Sequence, residues 1–239
     1  MASLLADAAL GMVAATVSSA ALVHAALSPG SQVFGKTLIA GGDPGEVALT
    51  FDDGPNGDTT LRLLDVLAEH GARATFFLIG RYVKAQPEVV RAMARGGHVV
   101  GNHTMTHPWL HTLSGARVRE ELGGCKAAIE DVVGERVRFF RAPHGARRPY
   151  VLRYARELGM VPVQWNVMAF DWRVKTPEQI VRLVEGGVGR QKAGSNVLLH
   201  DGGEGGLGQP RMATVEAVDR VLAGFGERGL RAVTVDAWV

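Results

Sequence analysis

Five short clusters of polar residues stand out along the 239-residue chain: Asp52-Asp53-Gly54-Pro55, His103-Thr104-Met105-Thr106-His107, Arg141-Ala142-Pro143-His144-Gly145, Asp171-Trp172 and Leu198-Leu199-His200-Asp201. These residue types suit hydrolysis of an amide or ester, which needs an activated electrophile, a nucleophilic water, a base and an acid. Two histidines four apart in a segment leaving a strand can turn both imidazoles toward one point, and an Asp supplies a third ligand. Two His and one carboxylate leave coordination positions open, the arrangement of a catalytic rather than a structural zinc. With Cys125 as the only cysteine, an intrachain disulfide and a thiolate cage are both excluded, so any metal is held by His, Asp or Glu. Successive side chains of an extended strand face opposite ways, so Asp52 and Asp53 are expected to diverge, one binding and the other free to act.

Taken singly, each cluster has an ordinary structural explanation: a turn, a pair of capping or surface histidines, an ion pair. Their placement on the predicted elements sets them apart. Val47 to Phe51, Ala74 to Ile79, His98 to His103, Val137 to Arg141, Val161 to Val167, Asn196 to His200 and Arg231 to Val235 are short apolar runs that read as strands. Between them, Asp58 or Thr59 can cap a helix with Leu61, Leu64 and Leu67 on one face and Gly71 as its stop. Pro87 opens another, with Val89, Val90 and Met93 apolar and Gly96 at its end. Ser114 can cap a third, striped by Val118, Leu122, Cys125, Ile129 and Val132. Helices also fit Pro149 to Leu158, Pro177 to Glu185 and Arg211 to Arg228.

Seven strands alternating with six helices predict an α/β fold with a parallel sheet, and no Gly-rich phosphate fingerprint follows the first strand. A closed or nearly closed barrel fits better than an open nucleotide-binding sheet. Barrel enzymes place their chemistry at the C-terminal ends of the strands, which is where the polar clusters fall. Trp165 is expected inside the barrel, Trp238 over its lower end and Cys125 in the core. His24, His70, His98 and His111 read as helix-end, strand-start or loop residues.

Composition agrees with one folded domain: 46% of residues are hydrophobic and the net charge is only +2, which excludes a disordered chain. The 26 basic residues are scattered among 24 acids with no basic stripe, so no nucleic-acid partner is expected. The domain proper is expected over residues 45–239, after an apolar leader over residues 1–35. From Ala2 to Val33 the only charge is Asp7, and Ala8 to Leu27 is rich in Ala, Val, Leu and Ser. Residues 2–27 read as a membrane anchor, a cleaved signal peptide or a helix packed on the domain, with an extracytoplasmic, anchored or secreted location in the first two cases.

In order and separation, Thr50-Phe51-Asp52-Asp53-Gly54-Pro55, His103-x-x-x-His107, Arg141-x-Pro143-x-Gly145, Asp171-Trp172 and Leu198-x-His200 resemble the five motifs of the polysaccharide deacetylases of carbohydrate esterase family 4. The resemblance spans Val47 to Val235. It implies a distorted (β/α)7 TIM-like barrel, monomeric, that uses one divalent metal ion, usually Zn2+ with Co2+, Ni2+ or Mn2+ as alternatives, to remove acetyl groups from N- or O-acetylated glycans such as peptidoglycan, chitooligosaccharide or xylan. By the family pattern Asp53, His103 and His107 are the metal ligands, Asp52 the general base and His200 the general acid. Arg141 orients Asp52 and favours its charged form; Asp171 raises the pKa of His200 and fixes its tautomer. The backbone N–H of His144 receives the oxyanion, and Trp172 and Leu198 wall the acetyl methyl.

Two departures bear on substrate. Motif three commonly carries an aromatic where Ala142-Pro143-His144 stands, and Met168 lies near the place of an earlier Asp in motif four. The stretch Gly202 to Gly208 is either a flexible linker or a mobile rim on which Glu204 meets a sugar. A related hydrolase of small cyclic amides and a non-catalytic glycan-binding domain are the competing readings.

Overall fold

The structure is a computed structural model that describes residues 22–174 and 176–239. Its centre is β1 (Glu46–Gly54), buried from Val47 onward, as the near-continuous apolar run of a strand covered on both faces requires. On one side of β1 lie β2 (Thr75–Leu78), β3 (Val99–Asn102), β4 (Phe139–Phe140) and β5 (Val161–Pro162); on the other lie β7 (Ser195–His200) and then β6 (Val167–Met168). All pair in parallel. A further strand, β8 (Arg231–Val233), pairs with Glu46–Ala48, below the part of β1 that pairs with β2. Helices α1 (Gly57–Glu69), α2 (Gly80–Ala85), α3 (Pro87–Arg95), α4 (Gly115–Val133), α5 (Pro149–Glu157), α6 (Pro177–Val188) and α7 (Met212–Ala223) complete a curled parallel sheet of the distorted barrel kind.

Two expectations are corrected. Val161 to Val167 is not one strand: β5 and β6 are opposite ends of the strand order, and residues 163–166 carry the chain across the opening between them. There the Gln164 carbonyl accepts from Arg141 Nη2 (3.3 Å) and Asn196 Nδ2 (2.7 Å), so side chains bridge what strand pairing leaves open. In α1 the buried face is Thr60, Leu63, Val66 and Leu67, while Leu61 is exposed and no side chain caps the helix. Thr60 turns inward because its hydroxyl donates to the Asp201 carboxylate at 2.5 Å. α2 was not anticipated at all. In α4 Ser114 accepts from Arg117 N at 3.4 Å and Val118, Leu122, Cys125 and Ile129 are buried, as the periodicity predicts.

The alternation of β1 stacks the barrel interior in layers. Val47, Leu49 and Phe51 face the helices, where they join the main core. Ala48 faces the other way and packs with Phe77, Phe139, Val163, Val235 and Trp238 into an apolar plug at the lower end. Above it Thr50 donates to the Val197 carbonyl at 2.8 Å, and its hydroxyl accepts from Arg141 Nη1 at 2.8 Å. Asp52 is the next inward position, paired in register with His200 of β7. The reactive layer therefore lies two residues above a polar layer and four above an apolar floor.

Residues 1–21, which hold most of the Ala8 to Leu27 run, lie outside the described residues. Among the described residues no helix is long and apolar enough to cross a membrane. From Ala25, itself buried, the chain packs on the barrel: the buried Arg147 guanidinium donates to the carbonyls of Ser28 (2.7 Å), Ser31 (2.8 Å) and Gly145 (2.9 Å). Leu38 then bridges to Val163. Arg147→Ala leaves those carbonyls without their donor and should lower the unfolding free energy in urea by about 2–4 kcal/mol, with Arg147→Lys intermediate. An Arg147→Ala variant with unchanged stability would contradict this tie.

Candidate active site

The upper end of β1 is irregular where the chemistry requires it. Register with β2 shifts between Asp52 and Gly54, and Asp53 takes a left-handed backbone, φ 71°. The simple alternation expected for Asp52 and Asp53 is thereby broken. Both carboxylates reach the same cleft, lying 3.7 and 3.5 Å from His103 Nε2. Close approach of β7 supports the bulge: a Cβ at Gly54 would strike the Asp201 carboxylate, and one at Gly202 would strike the Asp53 carbonyl.

His103 follows β3 directly, and its Nδ1 lies 2.8 Å from the Arg141 carbonyl, which leaves Nε2 toward Asp53. His107 returns to the same point through a loop rather than a helix. Thr104 (φ 71°) and His107 (φ 63°) are left-handed, and side chains fasten the turn. Asn102 Oδ1 accepts from Thr104 N (2.9 Å), Thr104 Oγ1 accepts from His107 N (3.0 Å), and Glu121 accepts from Thr106 N (2.8 Å) and Oγ1 (2.7 Å). His144 (φ 57°) and Phe170 (φ 53°) are the other non-glycine residues with this backbone, so all five such residues of the described chain lie at the end of β1 or in the segments that follow the strands around the cleft.

His107 Nε2 lies 3.1 Å from Asp53 Oδ1, a buried oxygen that no hydrogen bond otherwise satisfies. The donor atoms of Asp53, His103 and His107 all lie within 4.8 Å of one another. A carboxylate oxygen without a partner facing two imidazole nitrogens fits a divalent cation of borderline softness, with positions left open. Burial pushes the Asp53 carboxyl up, but the two imidazoles hold it well below the ordinary carboxylate range. Burial pushes His103 down, and Asp52 and Asp53 more than reverse this, so its pKa is raised. A cation bound there would displace the proton that His103 is disposed to hold.

Beside it, Arg141 Nη1 donates to Asp52 Oδ1 at 2.8 Å, its guanidinium fully buried 4.2 Å above the centre of the Phe77 ring. Across the cleft Asp171 accepts from His200 twice, at the backbone N (2.8 Å) and opposite Nδ1 (2.8 Å), and from Thr214 Oγ1 at 2.9 Å. Burial pushes His200 down, but the Asp171 charge and hydrogen bond, with Asp53 and Asp52 nearby, push it up to about 9. Its other nitrogen is thereby the protonated one turned to the cleft. Burial and the neighbouring His107 push His144 down to about 4, so its ring is neutral; it stacks on Trp109 at 3.8 Å.

Asp52, Asp53, His103, His107, His144, Trp172, Leu198 and His200 thus line one cleft of about 540 Å3, with Arg141 and Asp171 directly behind it. Gly145 and Met168 of the third and fourth motifs and Glu204 and Gly205 of the glycine-rich stretch also line the cleft, Trp165 lines it as well as packing in the barrel, and Gln209 and Arg211 are the lining residues that the sequence did not point to. Asp201, buried and pushed up to about 7 by that burial, backs the Asp53 turn. Only its position next to His200 pointed to it. His98 and His70 are structural, His98 Nδ1 accepting from Ala74 N and His70 facing Asp219.

Fold and site together define a metal-type hydrolase on a parallel barrel. Comparison with known proteins makes this specific: the family model described as polysaccharide deacetylase matches residues 40–163, and the chain belongs to that family. It is 37% identical over 191 residues to a peptidoglycan-N-acetylglucosamine deacetylase of Bacillus cereus, covering 79% of this chain and 85% of that protein. It is 37% identical over 157 residues to the chitooligosaccharide deacetylase of Azorhizobium caulinodans, covering 65% and 73%. Among solved structures, a peptidoglycan N-acetylglucosamine deacetylase bound to 4-naphthalen-1-yl-N-oxidanyl-benzamide superposes with a TM-score of 0.78 at 31% identity, covering 84% and 91%. The protein is a deacetylase of carbohydrate esterase family 4.

With His200 as the candidate proton donor, a pH dependence is expected. A proton donor must be protonated, and His200 stays so until the pH rises through about 9, so activity resting on it is lost above that value. Asp171→Asn removes the charge that holds this proton. The alkaline limb of log kcat should then move to lower pH by at least about one unit; an unmoved limb would show that His200 is not the titrating group.

Proposed function

We propose that the protein hydrolyses N-acetyl groups of an amino-sugar glycan of the peptidoglycan or chitooligosaccharide kind, outside the cytoplasmic membrane, with Zn2+ held by Asp53, His103 and His107. The observation that carries this reading is the convergence of those three donors on one point beside Asp52–Arg141 and Asp171–His200. The named substrates of the similar deacetylases support the glycan class, and the apolar, nearly uncharged leader over residues 2–27 supports the location.

When bound, the cation supplies Lewis acidity, polarising the acetyl carbonyl and making a water acidic enough to attack near neutral pH. Every other part belongs to the chain. Arg141 engages Asp52 Oδ1, so Oδ2, on the His103 side, is the oxygen that takes the proton from the attacking water. The His144 N–H, turned by its left-handed backbone, forms no hydrogen bond among the described residues and serves the oxyanion. His200, its Nδ1 held by Asp171, delivers the Nε2 proton to the leaving amine. Trp172, Leu198, Trp165 and Met168 exclude water around the acetyl methyl.

A panel of N-acetylated chitooligosaccharides, peptidoglycan fragments and acetylated xylan, scored by acetate release, tests this. N-acetyl substrates should be turned over. Asp52→Asn should cut kcat by about 10^2–10^4 while retaining one cation per chain, whereas His103→Ala with His107→Ala should lose the cation. No acetate from any substrate with the cation bound would overturn the proposal.

A further inference from the structure

The two imidazole ligands differ in what holds their second nitrogen. His103 Nδ1 is 2.8 Å from the Arg141 carbonyl, an acceptor built into the barrel. His107 Nδ1 has no such backbone partner: it is buried on a side chain only 5% exposed and unsatisfied by any aligned hydrogen bond, and the nearest charged group is the Glu204 carboxylate. Glu204 Oε2 lies 3.0 Å from that nitrogen but out of line with its N–H, and 3.6 Å from His144 Nε2. The glutamate side chain is 59% exposed, so rotation about its own bonds can bring the oxygen into line.

The Gly202 to Gly208 stretch that carries Glu204 is not a free linker. Arg81 Nη2 donates to the Glu204 carbonyl at 2.7 Å, and Tyr82 Oη to the Gly203 carbonyl at 3.2 Å. Arg211 Nε donates to the Gly202 carbonyl at 2.7 Å. Asn56 ties the two ends together, Nδ2 donating to the Asp201 and Gln209 carbonyls and Oδ1 accepting from Gly208 N at 2.7 Å. Side chains from three segments thus hold the backbone that carries Glu204 beside the back of one histidine. The glycines suit this because a Cβ at Gly203 or Gly205 would strike Gln209.

We infer that Glu204 is a positioning residue for the cation: its carboxylate accepts the His107 Nδ1 proton, fixing the tautomer whose Nε2 lone pair faces Asp53. A histidine ligand whose outer nitrogen is held by a carboxylate is oriented and made more basic, and loss of such a partner weakens metal affinity about 10–100-fold. The inference rests on the proposed cation site and adds the residue that tunes it. It also gives Glu204 a target inside the protein rather than on a sugar.

The test is Zn2+ affinity by chelator competition for the full chain, alongside thermal unfolding of the cation-free protein. Glu204→Ala should bind Zn2+ about 10–100-fold more weakly, and Glu204→Gln, which keeps an acceptor without the charge, should fall between it and the wild type. The cation-free unfolding midpoint should be the same in all three, because the side chain is largely exposed. Affinities within twofold of one another would overturn the inference while leaving the deacetylase reading intact. A wild type that binds no Zn2+ would instead overturn the cation site and Glu204's role with it.

Discussion

The ion pair between Arg141 and Asp52 is the constraint around which the barrel is arranged. A guanidinium with no solvent exposure is tolerable only where its charge is met and its donors are satisfied, because burying an unpaired charge costs several kcal/mol. The protein meets the charge with Asp52 and the two terminal nitrogens with Thr50 on β1, Asn196 on β7 and the Gln164 carbonyl at the barrel opening, beside the faces of Phe77 and Trp165, while Nε has no hydrogen-bond partner among the described residues. The same contacts hold Asp52 with one oxygen occupied and one turned to the cleft. Arg141 also contributes its carbonyl to His103, so one residue orients the candidate base and one candidate ligand together.

Around that pair the site alternates charge so that no carboxylate stands alone. Asp52 faces Arg141, Asp171 faces His200, and Asp53 faces His103 and His107. Asp201 is the exception, buried with Thr60 as its one side-chain partner among the described residues, and burial accordingly pushes it toward the neutral form. Left-handed backbone at Asp53, Thr104, His107, His144 and Phe170 is the conformational cost of aiming so many groups at one point. Strand register does the rest, since Asp52 and His200, side by side on β1 and β7, become candidate base and acid on either side of one carbonyl.

Much of this was legible in the sequence because parallel strands announce themselves as short apolar runs and their C-terminal ends are where polar clusters have few structural uses. All ten candidate residues fall at or directly behind one cleft for that reason. What was not legible depends on contacts between distant segments. The bulge that brings Asp52 and Asp53 to the same side exists because Gly54 and Gly202 let the ends of β1 and β7 approach, which no local pattern reveals. The break after β5 marks where the sheet's edges face each other, a property of the curled topology and not of Val161 to Val167. Leucine spacing placed Leu64 and Leu67 on the core side of α1 but failed at Leu61, where Thr60 turns inward instead to reach Asp201. Glu204 read as a rim residue and does line the cleft, but nothing in a glycine-rich run shows that its charge also faces His107.

The central claim is that Asp53, His103 and His107 hold a divalent cation while Asp52, engaged by Arg141, stays outside its coordination shell. A crystal structure of the zinc-loaded protein with anomalous data at the zinc edge tests it most directly. The account predicts one peak about 2.0–2.2 Å from an Asp53 oxygen and from Nε2 of both histidines, with the Asp52–Arg141 pair intact. A peak ligated by Asp52 with that pair broken, or zinc bound only elsewhere, would contradict it.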